Sequence, residues 1–138
     1  MTSGWRNTVA LGALMTAASW AGLAQAAAFD CADVATHDFG VEDLVITEAL
    51  AEAVGENAPV AHCLVRGHIA ERTGMDGNTY RISFELRLPD DWNGRFVHQF
   101  NGGNDGAVVP AMGNLLNADP SDTALARGYA VVSSDAGQ

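Results

Sequence analysis

Between Tyr80 and Leu88 the chain alternates without a break. Tyr80, Ile82, Phe84, Leu86 and Leu88 fall on one side, and Arg81, Ser83, Glu85 and Arg87 on the other. A period of two is that of an extended strand with one apolar and one polar face. A second segment shares it: Ala61, Cys63, Val65, Gly67 and Ile69 lie on one face, His62, Arg66 and His68 on the other. The intervening Thr73-Gly74-Met75-Asp76-Gly77-Asn78 is made of turn residues. The two segments therefore predict an antiparallel hairpin with one wet face, directing Cys63 at the core.

Weaker signals flank this hairpin. Val41 to Glu48 is rich in β-branched and apolar residues and predicts a first strand, and Leu50 to Ala58 a loop. Pro89-Asp90-Asp91-Trp92-Asn93-Gly94 breaks the pattern as a turn, and Arg95 to Phe100 resumes it, so the hairpin and this strand suggest a meander. Next comes the Gly-rich loop Asn101-Gly102-Gly103-Asn104-Asp105-Gly106, then an apolar stretch from Ala107 to Leu116 that fits helix or loop. Asp119 as N-cap, Pro120 at the first helical position and Gly128 as the left-handed terminator predict a short helix. The run Tyr129 to Ser134 predicts a last strand, and strand, loop, helix and strand in that order make a parallel, right-handed crossover.

Charge and length narrow the function. Seventeen acidic residues against seven Arg and no Lys give a formal net charge of −10, which argues against a nucleic-acid backbone or an anionic membrane surface as partner. At 138 residues the chain holds one domain at most. Residues 1–26 place Arg6 before an apolar, Ala-rich stretch from Val9 to Ala24 and end in Ala24-Gln25-Ala26, the pattern of a secretory signal peptide. Residues 27–138 are then the folded portion, secreted or periplasmic, with no membrane contact after signal removal. In an oxidising compartment Cys31 and Cys63, the two cysteines, are expected to form a disulfide, worth roughly 3 to 4 kcal/mol by the chain-entropy estimate. Two independent thiols are the alternative, and two cysteines alone make no metal site.

The Gly-rich loop is where chemistry is most plausible. Backbone N–H groups unshielded by side chains, after a strand and before a helix, can stabilise a developing oxyanion. Two adjacent glycines equally suit a tight turn with positive φ. A phosphate loop is disfavoured, since no Gly-Lys-Ser/Thr ending follows and no basic residue lies between Arg95 and Arg127.

Three strings carry a family resemblance: Phe84-Glu85-Leu86-Arg87-Leu88-Pro89-Asp90-Asp91-Trp92-Asn93-Gly94-Arg95-Phe96, then Gln99-Phe100-Asn101-Gly102-Gly103, then Ala124 to Gly137. Together they resemble the N-terminal part of the tannase and feruloyl esterase family, secreted α/β-hydrolases that cleave esters of aromatic acids. The resemblance covers roughly Ala61 to Gln138, and the early Cys pair is similar to an N-terminal disulfide of such enzymes. It implies the α/β class: the N-terminal, incomplete part of an α/β-hydrolase fold, with the hairpin or meander leading into a parallel crossover. It also implies that the Gly103 amide contributes to an oxyanion hole, that Gly102 gives the backbone room to approach a small aromatic ester, and that Asn101, Asp105 and Gly106 shape the loop. Gln138 stands where the family often has His. The family's Ser nucleophile, its Asp and His, the cysteines adjoining them and a lid that often holds calcium have no position in this chain. Any calcium is therefore expected outside it.

The remaining candidates read as structural. Among Ser3, Ser19, Ser83, Ser121, Ser133 and Ser134, none lies in a Gly-x-Ser-x-Gly elbow, so a nucleophile is expected elsewhere. His62 and His68 are about 20 Å apart along an extended strand, too far for one metal ion, and read as solvated surface residues. His98 reads as an ordinary strand residue that could line a pocket, and His37 has no recognisable partner. Asp90, Asp91, Asp119 and Asp122 read as turn and cap residues, and Glu85 with Arg81 and Arg87 as a charged strand face. From a different class, a small exported β-rich binding module, complete as written, is the competing expectation. Against it stands an ending on a parallel strand, which needs partners on both sides.

Overall fold

The structure, a computed structural model, describes residues 30–55, 58–102 and 106–137. The signal-peptide segment, Gly103, Asp105 and Gln138 lie outside the described residues. A four-residue helix α1 (Cys31–Val34) precedes strands β1 (Val45–Glu52), β2 (His62–Thr73), β3 (Thr79–Pro89), β4 (Phe96–Gln99) and β5 (Ala130–Ser134). These strands form one mixed sheet in the order β1-β2-β3-β5-β4. The fold is a β-rich sheet with one short helix among the described residues, compatible with part of a hydrolase domain.

The hairpin follows the alternation. Cys63 faces Leu88, Val65 faces Leu86 and Gly67 faces Phe84 across the β2–β3 ladder. Its turn closes through Gly74 N–H to Asn78 O (2.8 Å), while the Asp76 carboxylate accepts from Asn78 N–H (3.0 Å) and from the Tyr80 hydroxyl (2.7 Å). The first strand sits later than Val41–Glu48: β1 starts at Val45 and runs on through Leu50, which the loop expectation had excluded. Antiparallel pairing with β2, interrupted by a bulge between Ile46 and Glu48, overrides the weak local pattern.

Two expectations are corrected. The meander does not form, because β5 lies between β3 and β4, antiparallel to one and parallel to the other. The 89–94 turn is the physical reason. Asn93 donates from its side chain to Arg127 O (2.8 Å) and from its backbone to Gly128 O (2.9 Å), so the turn grips the residues leading into β5 instead of closing a hairpin. The helix over residues 119–127 shrinks to a single turn. Its start is Thr123, whose Oγ1 accepts from Ala126 N–H (3.1 Å), and Thr123 also bridges Asn114, a pairing incompatible with helix further upstream. The expected terminator is present: Gly128 has φ +79°, with Gly128 N–H bonded to Leu125 O (3.0 Å) and Tyr129 N–H to Ala124 O (3.0 Å). The crossover between parallel strands β4 and β5 therefore runs mostly through irregular chain.

Both sheet faces are covered over part of their area. On one face Val34, Cys63 and Val65 are buried among Ile46, Phe84, Leu86 and Leu88. The Cys31–Cys63 disulfide, with a Cα–Cα distance of 5.4 Å, ties α1 to β2 there. On the other, Ala111, Ala124, Leu125 and Val131 form a second cluster with Val60, Val97, Met112 and Tyr129. This second cluster belongs to the face read as wet. The chain after β4 folds back over it, so His62 and His68 are buried, not solvated, and Glu85 is only 4% exposed. His62 Nδ1 donates to Val60 O (2.8 Å), and His68 Nε2 lies 3.1 Å from the Glu71 carboxylate.

Gly67 is required by close approach. A Cβ there would stand 2.4 Å from Val45 O and 2.8 Å from Phe84 Cζ, one of them backbone of the neighbouring strand. Gly67→Ala is expected to cost about 1–3 kcal/mol through forced separation of β1 from β2. Urea unfolding measures it, and an unchanged midpoint would show that β1 yields freely.

Candidate functional site

Parallel strands β4 and β5 end side by side, Gln99 opposite Ser133. Ligand-binding groups in open sheets gather beyond such carboxyl ends. Here the Gly-rich loop leaves β4, and the Asp135-Ala136-Gly137 turn leaves β5. Asn101 joins them. Its Nδ2 lies 3.2 Å from Ser134 O, 3.2 Å from Ala107 O and 3.3 Å from Ser133 Oγ. Its Oδ1 accepts from Gln99 Nε2 (3.3 Å). One amide side chain thus spans the start of the loop, its return at Ala107, and the end of β5. Gly102 follows at φ +77°, in the left-handed region that favours glycine, with no atom within 4 Å of where a Cβ would stand. Gly106 is exposed. Gly103 and Asp105, between them, lie outside the described residues.

The turn after β5 is locked by its first residue. Asp135 Oδ1 accepts from Ser83 N–H (3.0 Å) and from Gly137 N–H (2.9 Å). Ala136 sits at φ +56°, an uncommon conformation for a residue with a side chain. Ser133 is fully buried at the tip of β5 and is a partner of Asn101. His98 lies on the opposite face of β4 from Gln99, exposed, its ring 4.4 Å from that of Phe100.

Beneath the returning chain at Ala111 lies a charged cluster. The Glu85 carboxylate accepts from Ala111 N–H (3.0 Å), from Arg87 Nε (2.8 Å) and from Arg66 Nε (3.1 Å). Arg66 continues to Glu48 at 2.6 Å. Arg81, expected beside Glu85, instead meets Glu71 at 3.5 Å. Burial pushes the Glu85 pKa up, but the Ala111 amide and the two guanidinium groups outweigh it and hold the carboxyl below its ordinary range. Asp119 and Asp122 serve as a turn residue and as the ion-pair partner of Arg127 at 2.6 Å. No cluster of three or more His, Cys, Asp or Glu able to hold a metal ion occurs among the described residues. No helix among them is long and apolar enough to cross a membrane.

Asn101, Gly102 and Gly106 are thus placed at the carboxyl ends of the parallel pair. Gln99 and Glu85 enter as residues that sequence periodicity missed. Gln99 Oε1 accepts from Gly113 N–H (2.7 Å), fastening the chain that returns from the loop. Alternation assigns Glu85 to a polar face but carries no signal that a distant segment will cover that face, and the short run Arg95 to Phe100 gives Gln99 no distinguishing mark.

No family model matches the chain. It is 42% identical over 76 residues to the mono(2-hydroxyethyl) terephthalate hydrolase of Piscinibacter sakaiensis, a match covering 55% of this chain and 12% of that protein. The match spans less than an eighth of the relative's length. By its name that relative hydrolyses an ester of an aromatic acid, and the similarity to it is distant and partial.

Two outcomes follow from the geometry. Asn101→Ala removes a partner of the fully buried Ser133 hydroxyl and is expected to cost about 1–3 kcal/mol in urea unfolding. A loss below the error of the measurement would mean that water replaces the amide. Glu85, with its folded pKa below the unfolded one, contributes stability that is present above the unfolded value, about 4.3. That contribution is lost as pH falls through the lower folded value. Thermal midpoints should accordingly decline less steeply on acidification in Glu85→Gln than in the parent, and parallel profiles would contradict the assignment.

Proposed function

We propose that the chain is the N-terminal part of an exported carboxylic ester hydrolase acting on esters of aromatic acids, of the tannase and feruloyl esterase type and with an α/β-hydrolase fold. The observation that carries this reading is the 42% identity to a terephthalate-ester hydrolase. The Gly-rich loop at the carboxyl end of a parallel strand supports it from the side of geometry. The disulfide between Cys31 and Cys63 is compatible with an oxidising compartment.

In this proposal a serine outside the chain attacks the ester carbonyl. The carbonyl oxygen takes up negative charge, and the Gly103 N–H donates to it. Collapse of the tetrahedral intermediate expels the alcohol and leaves an acyl-enzyme, which water then hydrolyses to the aromatic acid. Gly102 keeps the approach clear of side chains, while Asn101 fixes where the loop leaves the sheet. Asp105 and Gly106 shape the return. The residues described here bind no cofactor in this scheme, and calcium, if the enzyme uses it, belongs to a lid domain outside this chain.

The test uses the protein encoded by the full reading frame that contains these residues. Incubated with methyl ferulate, methyl gallate and mono(2-hydroxyethyl) terephthalate, it is expected to release the free acid from at least one, as read by chromatography. Gly103→Pro, which removes the donor, should lower kcat about 100- to 1,000-fold. Release of no acid from any of the three would overturn the proposal, and an active Gly103→Pro enzyme would remove Gly103 from the oxyanion hole.

A further inference from the structure

His68 is a buried side chain with one ring nitrogen engaged and the other not. Its side chain is 10% exposed, and Nε2 lies 3.1 Å from the Glu71 carboxylate. Strict alternation would place Glu71 on the face of β2 opposite His68. A bulge between Ile69 and Arg72, with Ala70 at φ +54°, turns it back. Residues with a side chain are uncommon at such an angle, and bulges of this kind re-aim side chains. Glu71 thereby sets the tautomer: an ionised carboxylate accepts, so the Nε2 facing it carries the proton, and in the neutral ring Nδ1 is left as the acceptor. Nδ1 has no hydrogen-bond partner among the described residues.

His68 lines a cleft of about 350 Å³ between the sheet and the chain returning at Val108 and Pro110, a size within the range of small-molecule sites. Ser83 stands opposite His68 across the β2–β3 ladder and lines the same cleft. Its backbone bonds Asp135, and its hydroxyl has no partner among the described residues. Arg66 and Arg81 also line the cleft, their side chains 46% and 51% exposed.

We infer that this cleft binds a small neutral aromatic alcohol, a phenol, whose hydroxyl donates to His68 Nδ1 and accepts from Ser83 Oγ while its ring packs against Val108, Pro110 and the guanidinium planes. Charge selects a neutral ligand. Arg66, Arg81 and Arg87 are already met by Glu48, Glu71 and Glu85 at 2.6 to 3.5 Å, so an incoming carboxylate competes with carboxylates in place, and a cation faces the guanidinium groups. A hydroxyl meets neither cost, and it is the group that can give a proton to Nδ1 and take one from a serine at once. The ring follows from the rim, since half-exposed guanidinium groups stack on aromatic faces. None of the lining residues belongs to the Gly-rich loop, and the inference does not rest on the hydrolase proposal.

The test is calorimetric binding of phenol, and of anisole, in which the donor is methylated, to the full-length protein and to His68→Leu, Ser83→Ala and Val108→Trp. Phenol should bind the parent with a Kd of about 1 mM or below, and anisole about tenfold or more weakly. His68→Leu should weaken phenol about tenfold and bring the two ligands to within about twofold of each other, and Ser83→Ala should weaken phenol by about threefold. Val108→Trp fills the cleft from the returning chain without touching the ring of His68 and should abolish binding of both. If His68→Leu does not fold, Ser83→Ala and Val108→Trp decide by the same readouts. No binding of phenol, equal binding of phenol and anisole by the parent, or phenol binding unchanged in the folded variants would overturn the inference. Benzoate bound more tightly than phenol would overturn it too, because Nδ1 would then be a donor. Ester cleavage is not a readout here, so this inference and the hydrolase proposal fail separately.

Discussion

The position of β5 between β3 and β4 is the constraint from which the second face of the sheet follows. Antiparallel to β3 and parallel to β4, this five-residue strand sets Val131 beside Arg87 and Val97, and Ser133 beside Glu85 and Gln99. A parallel neighbour cannot be reached by a tight turn, so the chain between Gln99 and Ala130 must travel back along the sheet before pairing. It does so across the polar face. That path is why Ala111, Leu125 and Val131 come together, and why polar side chains that alternation assigns to solvent are roofed over. The loop at the end of β4 is consequently the first part of a covering segment whose later residues are packed.

Burying a carboxylate under that cover is tolerated because its partners are already in place. A buried charge with one good partner rarely recovers its lost hydration. Glu85 has two guanidinium groups and a backbone amide, one of the arginines, Arg87, itself largely buried and the other, Arg66, half exposed. The Arg66 side of the network is screened by water and contributes modestly. The Arg87 and Ala111 contacts lie where the dielectric is low and geometry counts most. The cluster is thus better suited to defining one arrangement of sheet and covering limb than to adding net stability.

Much of the sheet was legible from side-chain spacing. The alternation from Tyr80 to Leu88 and from Ala61 to Ile69 specified β3 and β2 and their antiparallel pairing, because one apolar face fixes register. The terminator at Gly128 was legible too, since positive φ selects glycine. Local signals failed wherever a distant segment decided the outcome. Asp119-Pro120 looks like a helix start, yet the Thr123 bridge to Asn114 keeps the chain before Thr123 out of helix, and only a single turn follows it. Arg95 to Phe100 looks like the third strand of a meander, yet Asn93 grips Arg127 and Gly128 and admits β5. At the candidate site, Asn101 and Gly102 stood out through the glycines around them. Glu85 and Gln99 did not, because a polar residue at an alternating position looks the same whether water or a folded-back limb covers it.

The two faces of β4 differ in a way that bears on how the loop is held. Val97 packs on the second cluster and Gln99 bonds Gly113 beside it, while Phe96 and Phe100 are 59% and 79% exposed. The cover provided by α1 and the disulfide lies over β1 and β2 and does not extend to that side of β4. Exposed aromatic area of this kind at a strand whose outer edge has no strand partner among the described residues is unfavourable in water. The contacts described for the two ends of the Gly-rich loop, among them Asn101 to Ser133 and Ser134, Gln99 to Gly113, and Glu85 to Ala111, nonetheless lie toward β5 or on the covered face. The two ends of that loop are therefore tied to β3, β5 and the returning chain, and not to the exposed side of β4. Whatever packs against Phe96 and Phe100 can change the stability of β4 without replacing the contacts that tie Asn101 and Gly113 down.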